Sequence, residues 1–287
     1  LPFTWGFSWT ANMSYALFAV AGALGLAVAM SGRVAFGLCI PIVAGILETG
    51  VSDLPWPFVL VGLGAVAWVA GGWKLTRLVV ILMLAIAIAG LWPRAMLSLY
   101  LCGAAVLACA VLGGLLGLLS AVSRPAWAVI RPVCDMLQTI PLFVFLIPVL
   151  MFFQIGEFSA FLAIIAYAIV PMIRYTRHGL VTTPPEMLEA AVSSGATEWQ
   201  IMREVRAPYA APTILLGLNQ TILYGFAMLV IAALIGTTGL GQSIYIALGA
   251  GDVGLGIAAG AAMAILALIA DRIVQGFAEE RRRALGL

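Results

Sequence analysis

The chain has 287 residues, of which 64% are apolar and 9% charged, with a mean hydropathy of +1.14. Soluble globular domains carry about 25% charged and about 45–50% apolar residues. This composition excludes a soluble enzyme, a disordered segment and a nucleic-acid binder, and a net charge of +2 asks for no polyanionic partner. The solvent of this chain is a lipid bilayer.

A helical span needs roughly 20 mostly apolar residues. The apolar runs, in chain order, are 13–30, ended by Arg33, and a shorter 34–47 before Glu48 and Asp53. Then come 58–72, closed by Lys74 and Arg77, and 78–92. The runs 96–122, 137–154, 158–173, 210–235 and 253–274 follow. These make eight or nine spans, because the first two runs can also form one re-entrant or interfacial element. Closed barrels need strands of alternating polarity, whereas these runs are continuously apolar. The expected fold class is an all-α polytopic membrane protein.

Positive charge orients the spans. Arg124 with Arg131, the group Arg174, Arg177, Arg203 and Arg206, and the tail Arg281, Arg282 and Arg283 are separated by pairs of spans. All three groups therefore fall on one side, the cytoplasm, together with Lys74, Arg77 and Arg33. Only Arg94 falls outside. Cys39, Cys102, Cys109 and Cys134 form no CxxC pair and read as small buried hydrophobes, and with His178 as the single histidine no metal site is expected. No basic n-region with a cleavage site opens the sequence, so no signal peptide is expected; missing first residues and a longer parent polypeptide both remain open.

The long polar connection from 174 to 208 has its own structure. Thr183, Pro184, Pro185 and Glu186 read as a helix start, with Thr183 as the cap. Met187, Leu188, Ala191 and Val192 give a short apolar stripe, and Gly195 ends or turns the helix. Thr197 and Glu198 start a second helix, which Pro208 is expected to end before the next span. Two short amphipathic helices suit docking to a soluble partner, or equally a loop lying on headgroups.

Glu189-Ala190-Ala191, three residues, Gly195, nine residues and then Val205-x-Ala207-Pro208 resembles the EAA motif of ABC importer permeases. Val205 and Ala207 stand where the family pattern has Ile and Leu. The stretches 135–156, 218–242 and 252–275 are similar to the glycine betaine/proline betaine branch of these permeases. The resemblance implies a type I importer permease with a five-helix core over 95–275, N-terminal extra helices over 1–94, and a cytoplasmic basic tail over 276–287. It implies that the coupling loop 182–208, with Glu186, Glu189, Ala190, Ala191, Gly195 and Pro208, inserts into a groove of a cytosolic ABC ATPase. The implied partners are two such ATPases, a second permease copy (a homodimer is expected), and a periplasmic or tethered substrate-binding protein. The implied location is a bacterial inner membrane. The implied solute is a compact methylated amine.

Polar groups inside spans are functional candidates because they are costly there. Asp135, Gln138 and Thr139 cluster at the entrance of one span. Arg131, four residues before Asp135, faces it as an ion pair, and a gating role for Asp135 stays open beside that structural one. Pro141 and Pro148 can bend this span. Asn219, Gln220 and Thr221 lie inside the next-to-last membrane run, where at least one is expected to bond a neighbouring helix. Tyr224, Phe226, Tyr167 and Phe145 are candidates to hold a cation by cation–π attraction, or are plain packing aromatics. The external Gly236–Gln242 stretch reads as flexible and suited to a binding protein, or as a simple turn. Gly113 with Gly117, and Gly256 with Gly260, have the spacing of close helix contacts. His178 is expected in a solvated loop.

No G-x-x-x-x-G-K-[ST] phosphate loop, H-E-x-x-H or G-x-S-x-G occurs. No catalytic residue and no cofactor is expected in this chain; ATP and Mg belong to the partner ATPase. Two other classes compete with the permease reading: an ion-gradient-driven secondary transporter, which asks for repeats with broken helices, and a membrane scaffold or sensor. A permease for another small solute, such as an amino acid, is the nearer alternative.

Overall fold

The computed structural model describes residues 56–284. The apolar runs 13–30 and 34–47, with Arg33 and Cys39, lie outside the described residues. Among the described residues there are helices and turns and no strand. In lipid this is required, because backbone N–H and C=O groups have no water to bond and must pair within their own segment.

Helix α1 (Trp56–Ile88) is followed by α2 (Trp92–Val122), α3 (Arg124–Thr139), α4 (Leu142–Phe153) and α5 (Glu157–Val181). The short α6 (Pro185–Ser193) precedes the long α7 (Glu198–Ile235), the short α8 (Leu240–Ala250) and α9 (Val253–Ala284). By length and composition five of the described segments, α1, α2, α5, α7 and α9, can cross a membrane, or six if the bent pair α3–α4 is one span.

Helix α1 is not straight. Gly72 has φ 67° and ψ −163°, a backbone state open to glycine. The Thr76 hydroxyl donates to the Gly64 carbonyl at 3.4 Å. Twelve residues of straight helix would separate these groups by about 18 Å. The chain therefore reverses at Gly72, and the runs 58–72 and 78–92 are the two arms of a hairpin. A Cβ on Gly276 would stand 2.4 Å from the Ala70 carbonyl, so the hairpin turn, with Lys74 and Arg77, lies at the same end as the basic tail. At the other end Arg94 donates to the Ser243 hydroxyl at 3.1 Å. Among the described residues, Lys74 and Arg77 thus share an end with the basic tail and Arg94 lies at the other.

The run 137–154 is not one straight helix. It breaks at Ile140 and Pro141, and α3 meets α4 at 106°. The proline forces the preceding residue to extended backbone, and Ile140 has φ −68° and ψ 130°. Pro148 stays inside α4. Helix α3 is amphipathic: Val129, Val133 and Met136 are exposed on one face, while Cys134 packs against Val170 and Ile173 of α5.

Helix α5 packs against both α2 and α7, and α7 also packs on α9. Glycine makes the first contact possible. A Cβ at Gly117 would stand 2.6 Å from Thr176 Cβ and 2.8 Å from the Ile173 carbonyl, and one at Gly113 would stand 2.9 Å from Met172 Cβ. The second pair behaves otherwise: Gly256 would reach Ala247 at 3.5 Å, and nothing lies within 4 Å of Gly260. Cys102, Cys109 and Cys134 are free and buried.

Gly117→Val should therefore cost about 1–3 kcal/mol through overpacking. Gly260→Ala should stay within about 0.5 kcal/mol of the parent. Thermal unfolding in detergent, read by size-exclusion of the folded fraction, checks both; equal loss in the two variants would remove the distinction.

Candidate coupling loop and translocation elements

The loop after α5 is built by proline, glycine and one capping box. Thr183 and Pro184 each precede a proline and are pushed out of the helical region, so α6 starts at Pro185. Thr183 is not its cap. It is buried, and its hydroxyl donates back to the Leu180 carbonyl at 3.3 Å, closing α5 instead. Glu186 lies in the first turn of α6, where the helix dipole favours a carboxylate.

The other end of α6 explains the spacing of the motif. Gly195 has φ +79°. Its N–H bonds the Val192 carbonyl at 2.9 Å, and the Ala196 N–H bonds the Ala191 carbonyl at 3.1 Å. These are the two bonds of a Schellman ending, which wants glycine at this place. Ala191 and Gly195 are thus fixed relative to each other by one helix terminus.

Thr197 then caps the next helix. Its N–H donates to Gln200 Oε1 at 2.8 Å, and the Gln200 N–H returns to the Thr197 hydroxyl at 3.4 Å. Pro208 does not end this helix. Residues Ile201–Arg206 form a π-turn, the Ala207 N–H bonds the Met202 carbonyl five residues back, and α7 runs on into the bundle. The wider turn makes room for a proline ring that would clash with the carbonyl four residues back in an α-helix. The loop is mechanically continuous with a central membrane helix.

The outer face of the loop is unpartnered in the monomer. Met187 is 43% exposed, Val192 60% and Trp199 70%, and Glu186, Glu189 and Glu198 are exposed beside them. Leu188 and Ala191 are half-buried, and Ala190 is exposed. The expected stripe thus splits between the bundle and the outside.

Asp135 lies near the C-terminal end of α3. Arg131 approaches it at 3.8 Å, as the spacing predicts. Its nearer partner is Arg174 of α5, whose guanidinium donates to the Asp135 carboxylate. Gln138 and Thr139 are exposed on the same last turn, and the Thr139 hydroxyl donates to the Met136 carbonyl at 3.1 Å. His178 sits in the last turn of α5 rather than in a loop.

The second polar group ties helices together. Asn219 is buried, and its amide donates to Asp271 of α9 at 2.7 Å. Gln275 donates to the same carboxylate oxygen at 2.7 Å. Thr221 is buried, and Gln220 is half-buried. Tyr224 stacks on Tyr167 with ring centres 5.1 Å apart, and Phe226 is buried in the core. The side chain of Phe145 lies outside the described residues.

The Gly236–Gln242 stretch is not loose. The Leu240 N–H donates to the Ser98 hydroxyl at 2.8 Å, the Thr238 hydroxyl donates to Glu157 at 2.9 Å, and Thr237 is buried. A Cβ on Gly239, at φ +108°, would stand 2.6 Å from the Ser98 hydroxyl.

Sequence reading missed Arg174 and Asp271 as partners. An acid inside an apolar run was itself a signal for Asp271. Arg174, at the end of a run, looked like one more orienting charge.

Asn219→Asp would place a second carboxylate at hydrogen-bond distance from Asp271. It should lower stability by about 1–3 kcal/mol. Adding Asp271→Asn should restore more than half of the loss, because the pair is then carboxylate and amide again. A double-mutant cycle on thermal unfolding measures this.

The chain matches the family described as binding-protein-dependent transport system inner membrane component over residues 113–283. It is 37% identical over 229 residues to the Escherichia coli glycine betaine/proline betaine transport system permease protein ProW, covering 80% of this chain and 65% of that protein. It is 36% identical over 249 residues to the Listeria monocytogenes glycine betaine/carnitine transport permease protein GbuB, covering 84% of this chain and 88% of that one. The Ruegeria pomeroyi trimethylamine N-oxide transport system permease protein TmoV is 37% identical over 202 residues, 70% of this chain and 31% of that protein. The chain thus spans less than two thirds of the length of ProW and TmoV. The fold is similar to an inward-facing structure of the MetNI methionine ABC transporter, with a TM-score of 0.57, 22% identity, and 68% of this chain and 95% of that one covered. From the matched residues and this fold, the chain belongs to the family of binding-protein-dependent transport system inner membrane components.

Proposed function

We propose that this chain is a permease subunit of an ATP-driven importer in a bacterial inner membrane, with the α6 loop and the basic tail in the cytosol. The observation that carries the reading is α6 itself. It is a short exposed helix with a fixed glycine terminus, joined without a break to a membrane helix. Met187, Val192 and Trp199 supply apolar contact area, and Glu186 and Glu189 supply charge, to a cytosolic ABC ATPase that binds ATP and Mg. A pair of these ATPases, a second copy of this permease and an external substrate-binding protein complete the assembly.

The chain's own residues then transmit motion. A push on α6 passes through the Gly195 turn and the π-turn into α7. Asn219 carries it to α9 through Asp271. On the other side of the loop, α5 ends one residue before Thr182, and Arg174 links it to Asp135 and so to the broken α3–α4 pair. Those helices supply the candidate path and gate groups: Asp135, Gln138, Thr139, Asn219, Gln220, Thr221 and Tyr224. The solute class is a compact methylated or quaternary amine: glycine betaine, proline betaine, choline, carnitine or trimethylamine N-oxide. The relatives named above support this class.

Reconstitution with the cognate ATPase and binding protein tests it. ATP hydrolysis should rise with one methylated amine and not with amino acids. A response to an amino acid alone would keep the permease and overturn the amine class, and failure to associate with any ATPase would favour an ion-gradient-driven transporter. Glu189→Ala and Gly195→Val should each cut solute-stimulated hydrolysis by about tenfold or more, the scale of losing one central contact at an interface. Membrane insertion should stay at the parent level for both; the thermal midpoint should hold for Glu189→Ala, which is exposed, and fall for Gly195→Val, because valine at φ +79° strains the backbone.

A further inference from the structure

A cavity of about 540 Å³ opens beside the coupling loop, between α3 and α5. Trp127, Arg131 and Asp135 line it from α3, and Arg174, Arg177 and His178 from α5. Three guanidinium groups face one carboxylate. Asp135 engages Arg174 directly and Arg131 at 3.8 Å, so its single charge leaves the cavity with an excess of positive charge. Arg177 lies with its guanidinium carbon 4.1 Å from the centre of the Trp127 ring. Its Nε is buried and has no hydrogen-bond partner among the described residues. That N–H is closed off from the cavity, so the other N–H groups of Arg177, with those of Arg131, are what an anion in the cavity can meet, and forked guanidinium groups match phosphate best.

The position of the cavity adds a second observation. Helix α3 starts one residue after α2 ends and turns through 106° before α4. Val129, Val133 and Met136 are exposed along one side of it, while Arg124 and Arg131 are exposed on the opposite side. This is the pattern of a helix lying in the membrane interface, apolar face to the acyl chains and basic face to the headgroups. Trp127 and Tyr175 are the aromatic types that favour this level. A basic pocket between helices at the headgroup level takes phosphate-bearing lipid.

We propose that this cavity binds a phosphate group, supplied by an anionic phospholipid headgroup or by free phosphate, with Arg131 and Arg177 as its main ligands. The occupant bridges α3 to α5 and fixes the broken helix beside the coupling loop. The proposal is independent of which solute is carried.

The full chain in phosphatidylcholine nanodiscs is treated with phenylglyoxal, which modifies arginine. The reaction is repeated with dioleoyl phosphatidylglycerol in the bilayer, and again in phosphatidylcholine with inorganic phosphate added. Modification is read residue by residue by peptide mass spectrometry, with Arg124 as the reference outside the cavity. Several-fold protection of Arg131 and Arg177 but not Arg124 is expected. Protection by phosphatidylglycerol alone identifies the headgroup as the source, and protection by inorganic phosphate in phosphatidylcholine identifies a soluble phosphate. Equal rates in all three conditions, or equal protection of Arg124, would overturn the site. Native mass spectrometry of Arg177→Gln gives a second reading: retained phosphatidylglycerol, or phosphate, should fall several-fold in protein that still elutes as a folded species on size exclusion. Undiminished retention would likewise overturn it.

Discussion

A methyl group at position 117 would stand 2.6 Å from Thr176 Cβ, so α2 and α5 meet at backbone distance. Lipid tails are as apolar as leucine, and burial of apolar surface does not by itself hold membrane helices together. Close packing and a few polar contacts must do so. The α2–α5 contact holds α5 in the middle of the bundle, against α7 on its other side. Gly217 repeats the device on that side, where a Cβ would stand 2.5 Å from Tyr175 Cβ. Because α5 is held on two faces, the loop that leaves its end starts from a fixed place.

The loop is fixed again at its other end. The Schellman ending at Gly195 and the capping box at Thr197 leave little slack between α6 and α7. The π-turn lets α7 pass Pro208 without a break. The Gly236–Gln242 stretch at the opposite end is equally constrained, with Leu240 bound to Ser98 and Thr238 to Glu157. The breaks in the bundle's helices are the bend at Ile140–Pro141 and the hairpin turn at Gly72.

The polar groups inside this bundle serve two purposes. Asn219 and Asp271 satisfy one another across α7 and α9, which holds two helices together where apolar packing alone is weak. A hydrogen bond to a charged group is worth about 1.5–3 kcal/mol. Asp135 is different, since it is half exposed and shared between Arg174 and Arg131. An exchangeable pair at the mouth of a cavity suits an element that changes partners.

The sequence by itself determined the helices, their lipid setting, the relative sides of their charged ends and the spaced motif from Glu189 to Pro208. Each of these is a local property: an apolar run, an arginine at its end, a glycine four residues after Ala191. Local rules also misplaced some boundaries. Thr183 looked like a cap because its neighbours are prolines, but those prolines displace it, and Pro208 looked like a stop until the π-turn absorbed it. Only the tertiary structure decided which polar groups meet. Asp135 and Arg174 are 39 residues apart, and Asn219 and Asp271 are 52 apart. Periodicity within one helix carries no information about the rotation and depth of another. Those are set by where glycines let backbones approach, and that contact exists only once the bundle has formed.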